Sequence, residues 1–423
     1  MARRFIRVLF WIVLPCGSVL GQEPPAAIPP GPSVEDLVTR ALQRSPTLDA
    51  WKARYFAALR TVRPAGALAD PMVEFGYRSE GRPWDPTRPG SMAEVMVTQP
   101  IPYPGKRESW REAARAEALV AEAEAREWQQ RLIAGVRILY ARIHALDRER
   151  DILHASMDLL DLLQATTASR YAAGQTDQEA LVKVQVERLR LRERLTGVQT
   201  EREDLVASLL VLLDEPSDYA MGPVTTLPDV SIPEQDIEED TIASSGVVVV
   251  ARARLDAARR RLEAARLETR PNFLVGFGAG STLIPEAVFT IRFGIEIPFW
   301  ASDKQEPRIQ EALLEVRAAE ADQREKEAMA RSELRSVLAH FRRAEDLILV
   351  YREGIVPQTS LAFEAALASY RAGTGDFSTV AEDFLGLLNA RIALARIESD
   401  RFAAWARLKG LVTPIPAIEE GSR

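Results

Sequence analysis

Three histidines (His144, His154, His340) and one cysteine (Cys16) are the complete supply of imidazole and thiol in the 423-residue sequence. A metal site built on histidine needs a second ligand about one helical turn away, so that both side chains reach the same ion. No HxxxH or HxxE spacing occurs here, so these histidines read as solvated or seam residues. A nucleophile elbow GxSxG, a phosphate loop and a cysteine pair are also missing. Carboxylates abound, but in mixed helix-surface runs such as AEALVAEAEARE, residues 116–127. Gly276, Gly278 and Gly280 have neither the following helix nor the downstream acid that nucleotide binding requires. Met72, Met92 and Met96 read as packing rather than as ligands. The expectation is a protein that is not an enzyme and takes no cofactor.

What does stand out is a spacing written twice. YAAGQTD runs from Tyr171 to Asp177 and YRAGTGD from Tyr370 to Asp376, about 200 residues on. In each copy a glycine, Gly174 or Gly373, can end one helix, and an aspartate, Asp177 or Asp376, can cap or start the next. The same shift lays Pro71–Tyr77 on Pro271–Phe277, and Ile101, Pro102 and Tyr103 on Ile297, Pro298 and Phe299. So long a period marks a duplicated half rather than a solenoid.

Each half reads helix, strand, strand, long helix, turn, helix. Leu132, Val136, Leu139, Ile143, Leu146, Leu153, Met157 and Leu160 keep a three-four rhythm broken by Arg150. Beyond the first turn Leu181, Val184, Leu191, Leu195, Val198, Leu205, Leu209 and Leu212 continue it, with Arg188 and Arg202 in two slots. The turns therefore join antiparallel coiled-coil hairpins. The long helix, from about 105 to 169, would extend roughly 95 Å at 1.5 Å per residue. Flanking helices at about 34–64 with 176–213, and 241–269 with 376–412, would stack end to end to match that length.

The strands alternate. Phe289, Ile291, Phe293, Ile295 and Ile297 share one face, with Thr290, Arg292, Gly294 and Glu296 on the other. Val73, Phe75 and Tyr77, then Val95 and Val97, then Phe273, Val275, Phe277 and Ala279, repeat the pattern. A half-buried sheet on a soluble core would also alternate, yet the helices leave little sequence to cover that face. The better reading turns Phe289, Ile291, Phe293 and Ile295 towards lipid. Four strands cannot close, so closure would take several chains.

Arg3, Arg4 and Arg7 before an apolar run from Val8 to Leu14 read as an export signal over residues 1–21, cleaved after Gly21. Acylation of Cys16 is the alternative; Pro15 before it fits that poorly. Residues 22–33 form a Pro-rich tether. The net charge of −7 is spread along helices with no basic block, which argues against nucleic acid.

Through ADPMVEFGY, QPIPYPGKRE, the two Tyr-x-x-Gly turns and the duplicated order, the chain resembles the outer membrane efflux (TolC) family, closer to its heavy-metal and copper branch. The resemblance implies a mainly α chain with a small membrane β-barrel: a homotrimer, each chain giving four strands and its helices to a periplasmic tunnel. Structural repeats would occupy 34–213 and 241–412; an equatorial belt would take 214–240 and the C-terminal tail 413–423. It implies a passive duct spanning outer membrane lipid, joined to a periplasmic adaptor and an inner-membrane pump of the resistance-nodulation-division type, with metal cations among its cargoes. Arg170, Tyr171, Gly174, Tyr370, Arg371 and Gly373 carry over as adaptor contacts. Two acids after the second turn narrow the pore in the family; the matching positions are Thr379 and Glu382. Thr379 departs from the pattern, and Asp376 and Asp383 lie close enough to substitute. A periplasmic coiled-coil scaffold without a barrel is the competing reading.

Overall fold

The computed structural model describes residues 31–79, 90–232, 242–282 and 287–412. The export signal, Cys16, most of the proline-rich tether, the loop tips and the C-terminal tail lie outside them. Within them the order is α1 (Val34–Arg44), α2 (Pro46–Ala65), β1 (Met72–Arg78), β2 (Met92–Ile101), α3 (Lys106–Ala172) and α4 (Gln178–Leu213). After the linker come α5 (Gly246–Leu267), β3 (Asn272–Thr282), β4 (Ala287–Glu296) and α6 (Ala301–Leu349). A π-helical turn, Val350–Ile355, leads directly into α7 (Val356–Ala372), and α8 (Phe377–Val412) closes the series.

Helix α3 has 67 residues, about 100 Å at 1.5 Å per residue. The expected single helix over 34–64 is instead two. Ser45 is extended (φ −61°, ψ 114°) because the following proline disfavours helical geometry in the residue before it. Its hydroxyl then accepts from the Leu48 amide at 3.4 Å, and Pro46 opens α2, where its missing N–H costs nothing. A break also occurs 200 residues later at Ser245, ahead of α5, although there a glycine follows and the serine makes no side-chain cap bond. Proline also explains the π-turn: Pro357 cannot donate to the carbonyl one turn back, and the ladder widens just before it.

The predicted seam forms, two residues wide rather than one. Leu132, Val136, Ile143, Leu146, Leu153 and Leu160 are buried on α3; Val184, Leu191, Val198 and Leu209 meet them from α4. Leu181, Leu195, Leu205 and Leu212 are only half-buried, while Ala180, Val206, Leu210 and Leu213 go deeper. Each arginine that interrupted the apolar pattern has an acid beside it: Arg188 with Asp161 at 2.7 Å, Arg202 with Asp147 at 2.7 Å, Arg150 with Asp147 at 3.1 Å.

Two of the deepest charges, Glu149 and Asp147, sit where α3 packs against α4 and α8. Glu149, 1 % exposed, accepts from Arg194 at 2.9 Å and from Arg396 at 2.6 Å. Asp147 holds the linker, accepting the Val224 amide at 2.9 Å, while Arg202 donates to the carbonyls of Met221 and Gly222, both at 3.2 Å. His144 is buried with Nδ1 3.1 Å from the Ser399 hydroxyl, and desolvation pushes its pKa down.

Both arginines facing Glu149 are partly solvated, so losing the glutamate releases them to water, whereas losing both arginines strands a buried carboxylate. The double replacement Arg194→Ala/Arg396→Ala is expected to destabilise by about 3–5 kcal/mol, and Glu149→Leu by clearly less. Thermal unfolding in detergent checks the order; equal losses would show that the carboxylate is not the costly partner.

Candidate functional site

Two regions of this rod-like chain have properties that packing alone does not require: the strand ribbon at one end and the paired turns at the other. The strands form one antiparallel sheet in the order β1-β2-β3-β4. Its register brings the apolar residues into rows: Phe75, Val95, Ala279 and Phe289 in one, Val73, Val97, Phe277 and Ile291 in the next. Phe293 opposes Val275, and Ile295 opposes Phe273. All four expected lipid-facing residues project from this face, Phe293 at 79 % exposure and Phe75 beside them at 83 %. No buried apolar cluster among the described residues covers it.

The other face is mixed: Glu74, Glu94, Thr98, Thr290 and Arg292 share it with Met72, Leu274 and Val288 and with Met96, which is buried. Here lies the reason for the glycine run. A Cβ on Gly278 would come within 2.9 Å of the Met96 methyl carbon, so the missing side chains make room for that thioether.

The ribbon is tied to the rods by QPIPYPGKR. Gly105 is left-handed (φ 95°) and starts α3. Lys106, 1 % exposed, donates from Nζ to the Arg270 carbonyl at 2.8 Å and to Asn272 Oδ1 at 2.9 Å, with Glu268 3.7 Å away. Arg107 donates to the Gly66 carbonyl at 2.9 Å, and the Tyr103 ring stacks on Phe273. One short motif thus locks both strand pairs to three helices. Sequence reasoning singled out the motif but not this role; a lysine flanked by Gly and Arg where strand becomes helix was the available signal.

At the far end, Gly174 (φ 69°) and Gly373 (φ 82°) adopt the left-handed conformation expected for helix termination. The aspartates diverge. Asp177 occupies the cap of α4 without a side-chain capping bond. Asp376 accepts from the Ser378 hydroxyl and, at 3.2 Å, from its amide, which together hold its carboxyl below the usual range. The tyrosines diverge further. Tyr171 is exposed, but Tyr370 is 1 % exposed, its hydroxyl donating to Thr167 Oγ1 at 3.2 Å and its ring edge-on to Phe377. The expectation that Tyr370 meets a partner is corrected: it is buried between the hairpins. Arg170 lies over it with its guanidinium 4.4 Å from the ring centre, donating also to the Tyr370 and Gln175 carbonyls. Arg170 and Tyr370 together clasp one hairpin to the other, leaving Tyr171, Gly174, Arg371 and Gly373 exposed around them.

At about 100° per residue Thr379 and Glu382 project from α8 opposite the buried Phe377, Phe384 and Leu388, while Asp376 and Asp383 lie beside the buried Val380, at the margin of that face. Thr379, Glu382 and Asp376 are exposed and Asp383 half-buried. The four expected constriction residues thus spread over about 120° of the helix surface, with Thr379 and Glu382 farthest from the packed side.

Long coiled-coil rods, with an unclosed β ribbon apolar outside and mixed inside, define a channel of the tunnel-and-barrel class. The sequence pattern of the family described as "outer membrane efflux protein" matches residues 37–214 and 239–412, and the chain belongs to that family. It is 22 % identical over 404 residues to the pyoverdine export outer membrane protein OpmQ of Pseudomonas putida, covering 88 % of this chain and 84 % of that one. The outer membrane protein VceC of Vibrio cholerae superposes with a TM-score of 0.77 at 20 % identity, over 89 % of this chain and 95 % of its own. CusC superposes with 0.78 at 16 % identity, over 90 % and 92 %. The fold is thus that of the TolC-like tunnels, in which trimers and internal duplication are typical, and the protein is an outer membrane one.

Arg170→Ala removes the stacking cation and its two backbone bonds, a loss of about 1–2 kcal/mol at this end. Hydrogen exchange is expected to quicken over 167–177 and 369–377 while Val136–Leu146 stays protected. Unchanged exchange at the turns would mean that the clasp holds nothing.

Proposed function

We propose that three copies of this chain assemble into one passive duct that takes solutes from a periplasmic adaptor and an inner-membrane pump, of the resistance-nodulation-division type, through the outer membrane. The observation that carries the reading is the sheet. Its outer face is apolar across every strand, and β1 and β4 each have an unpaired edge. In hydrocarbon each unpaired backbone group costs several kcal/mol, so the ribbon needs neighbours on both sides. Three ribbons give twelve strands, within the size range of outer-membrane barrels. The soluble scaffold alternative would need this face covered by the chain itself.

In the assembly the exposed turn residues Tyr171, Gly174, Arg371 and Gly373 are the proposed docking points for the adaptor, with Arg170 and Tyr370 setting the spacing beneath them. Three-fold repetition turns the α8 stripe into rings: Glu382 and Asp383, flanked by Asp376, with Thr379 as a neutral gap. Such rings concentrate cations and repel anions at the narrow end, and their mutual repulsion opposes tight closure. The linker, of which 233–240 lie outside the described residues, is proposed to belong to a belt outside the tunnel; residues 214–232 are anchored through Asp147 and Arg202. Metal cations and small molecules both fit a duct of this kind, which passes cargo without chemistry of its own. No cluster of three or more His, Cys, Asp or Glu side chains able to hold a metal ion occurs among the described residues.

In planar bilayers the purified trimer is expected to favour cations, and Glu382→Gln to lower that preference, the reversal potential in a KCl gradient moving towards zero. An unchanged reversal potential would take Glu382 out of the constriction. A protein that migrates as a monomer on unheated gels would remove the duct itself.

A further inference from the structure

Helix α8 carries a second charged stretch on the face that holds the acids. In a coiled coil, residues seven apart return to the same side. By that count Asp400 and Arg407 share the position of Thr379, and Arg396 shares that of Glu382, about 20 Å further along the helix at 1.5 Å per residue. Arg142 from α3 and Arg343 from α6 meet this stretch, and the group opens into a cleft of about 700 Å³ that His340 and Glu201 also line.

The orientation of the cleft follows from what packs on the other side. On α3, Tyr140 and Asp147 hold the linker, bonding the Thr226 carbonyl and the Val224 amide, and at about 100° per residue Arg142 lies across the helix from both. On α8, Arg401 pairs with Asp229 of the linker at 2.9 Å and lies about 100–140° round the helix from Asp400, Arg407 and Arg396. A linker outside the tunnel therefore puts the cleft inside.

Its charges are not balanced. Four guanidiniums face the carboxylates of Asp400 and Glu201. Arg396 is engaged by Glu149, but Arg142, Arg343 and Arg407 form no hydrogen bond or ion pair with another described residue. Desolvation in the cleft outweighs their pull on Asp400 and lifts its carboxyl above the ordinary range. Planar forks with free donors, converging from three helices, match the oxygens of carboxylates and phosphates.

We propose that this cleft is a binding site inside the duct for small multivalent organic anions, recognised through carboxylate or phosphate groups by Arg142, Arg343 and Arg407. The inference rests on the duct reading, because only a tunnel places the cleft on the path of a solute. It gives the interior two zones in sequence: acids near the turns and a basic station about 20–40 Å further in.

The test uses citrate as the probe, titrated calorimetrically into the detergent-purified trimer at low ionic strength, and added to single channels in planar bilayers. The wild-type trimer is expected to bind citrate and to show current block. The triple variant Arg142→Gln/Arg343→Gln/Arg407→Gln should bind about tenfold or more weakly and lose the block, and Asp400→Asn should bind more tightly. A conducting trimer that binds no citrate, as would happen if a neighbouring copy's carboxylates already fill the cleft, overturns the anion site and leaves the duct standing. So does a triple variant that binds like wild type. A protein that neither trimerises nor conducts overturns the duct reading and this inference with it. Should the triple variant fail to assemble, the wild-type titration and the Asp400→Asn comparison still decide.

Discussion

The structure depends on one constraint: a four-stranded sheet with two open edges and an apolar outer face cannot satisfy its own backbone in lipid. Water could solvate those edges, and a soluble core could cover that face. Hydrocarbon does the first not at all, and the rods do not do the second. The rods run away from the sheet, joined to it by the chain connections at the strand ends and by the Lys106 knot. Each chain is therefore a component whose most exposed surface becomes stable only against lipid and neighbouring strands.

The helical part solves a different problem. A seam about 100 Å long built only from leucine would slip by a heptad at little cost, because every register offers the same contacts. The buried charges remove that freedom. Glu149 finds its arginines, and Asp147 finds Arg202 together with the Val224 amide, in one register only. Such groups contribute little net stability, since desolvation offsets most of their attraction, but a shifted alignment would leave them unpaired in the interior. The clasp of Arg170 on Tyr370 fixes the far end in the same way, across two hairpins rather than along one.

Duplication gives similar halves without giving equivalent residues. The two glycines do the same work, since each turn needs one left-handed residue. The two tyrosines do not: Tyr171 faces outward and Tyr370 is enclosed, because only the second hairpin has the first one's arginine lying over it. Likewise Asp376 caps through its side chain and Asp177 does not. A repeat read from sequence treats paired positions as equal, and packing between the halves is what distinguishes them.

The sequence alone determined the element types and their order, the strand faces and the turn glycines, because period two, period three-and-a-half and glycine's access to positive φ are local properties of the chain. The break at Ser45 was equally local, written in the proline after it, though the apolar rhythm on either side obscured it. Only the tertiary structure decided that Lys106 is a buried knot, that Tyr370 is covered, and that Arg142, Arg343, Arg396 and Arg407 converge on one cleft. Those residues are separated by up to some 265 positions in the chain, and their relation depends on which faces of separate helices meet. Spacing along one helix cannot carry that information, since it arises from the packing of several.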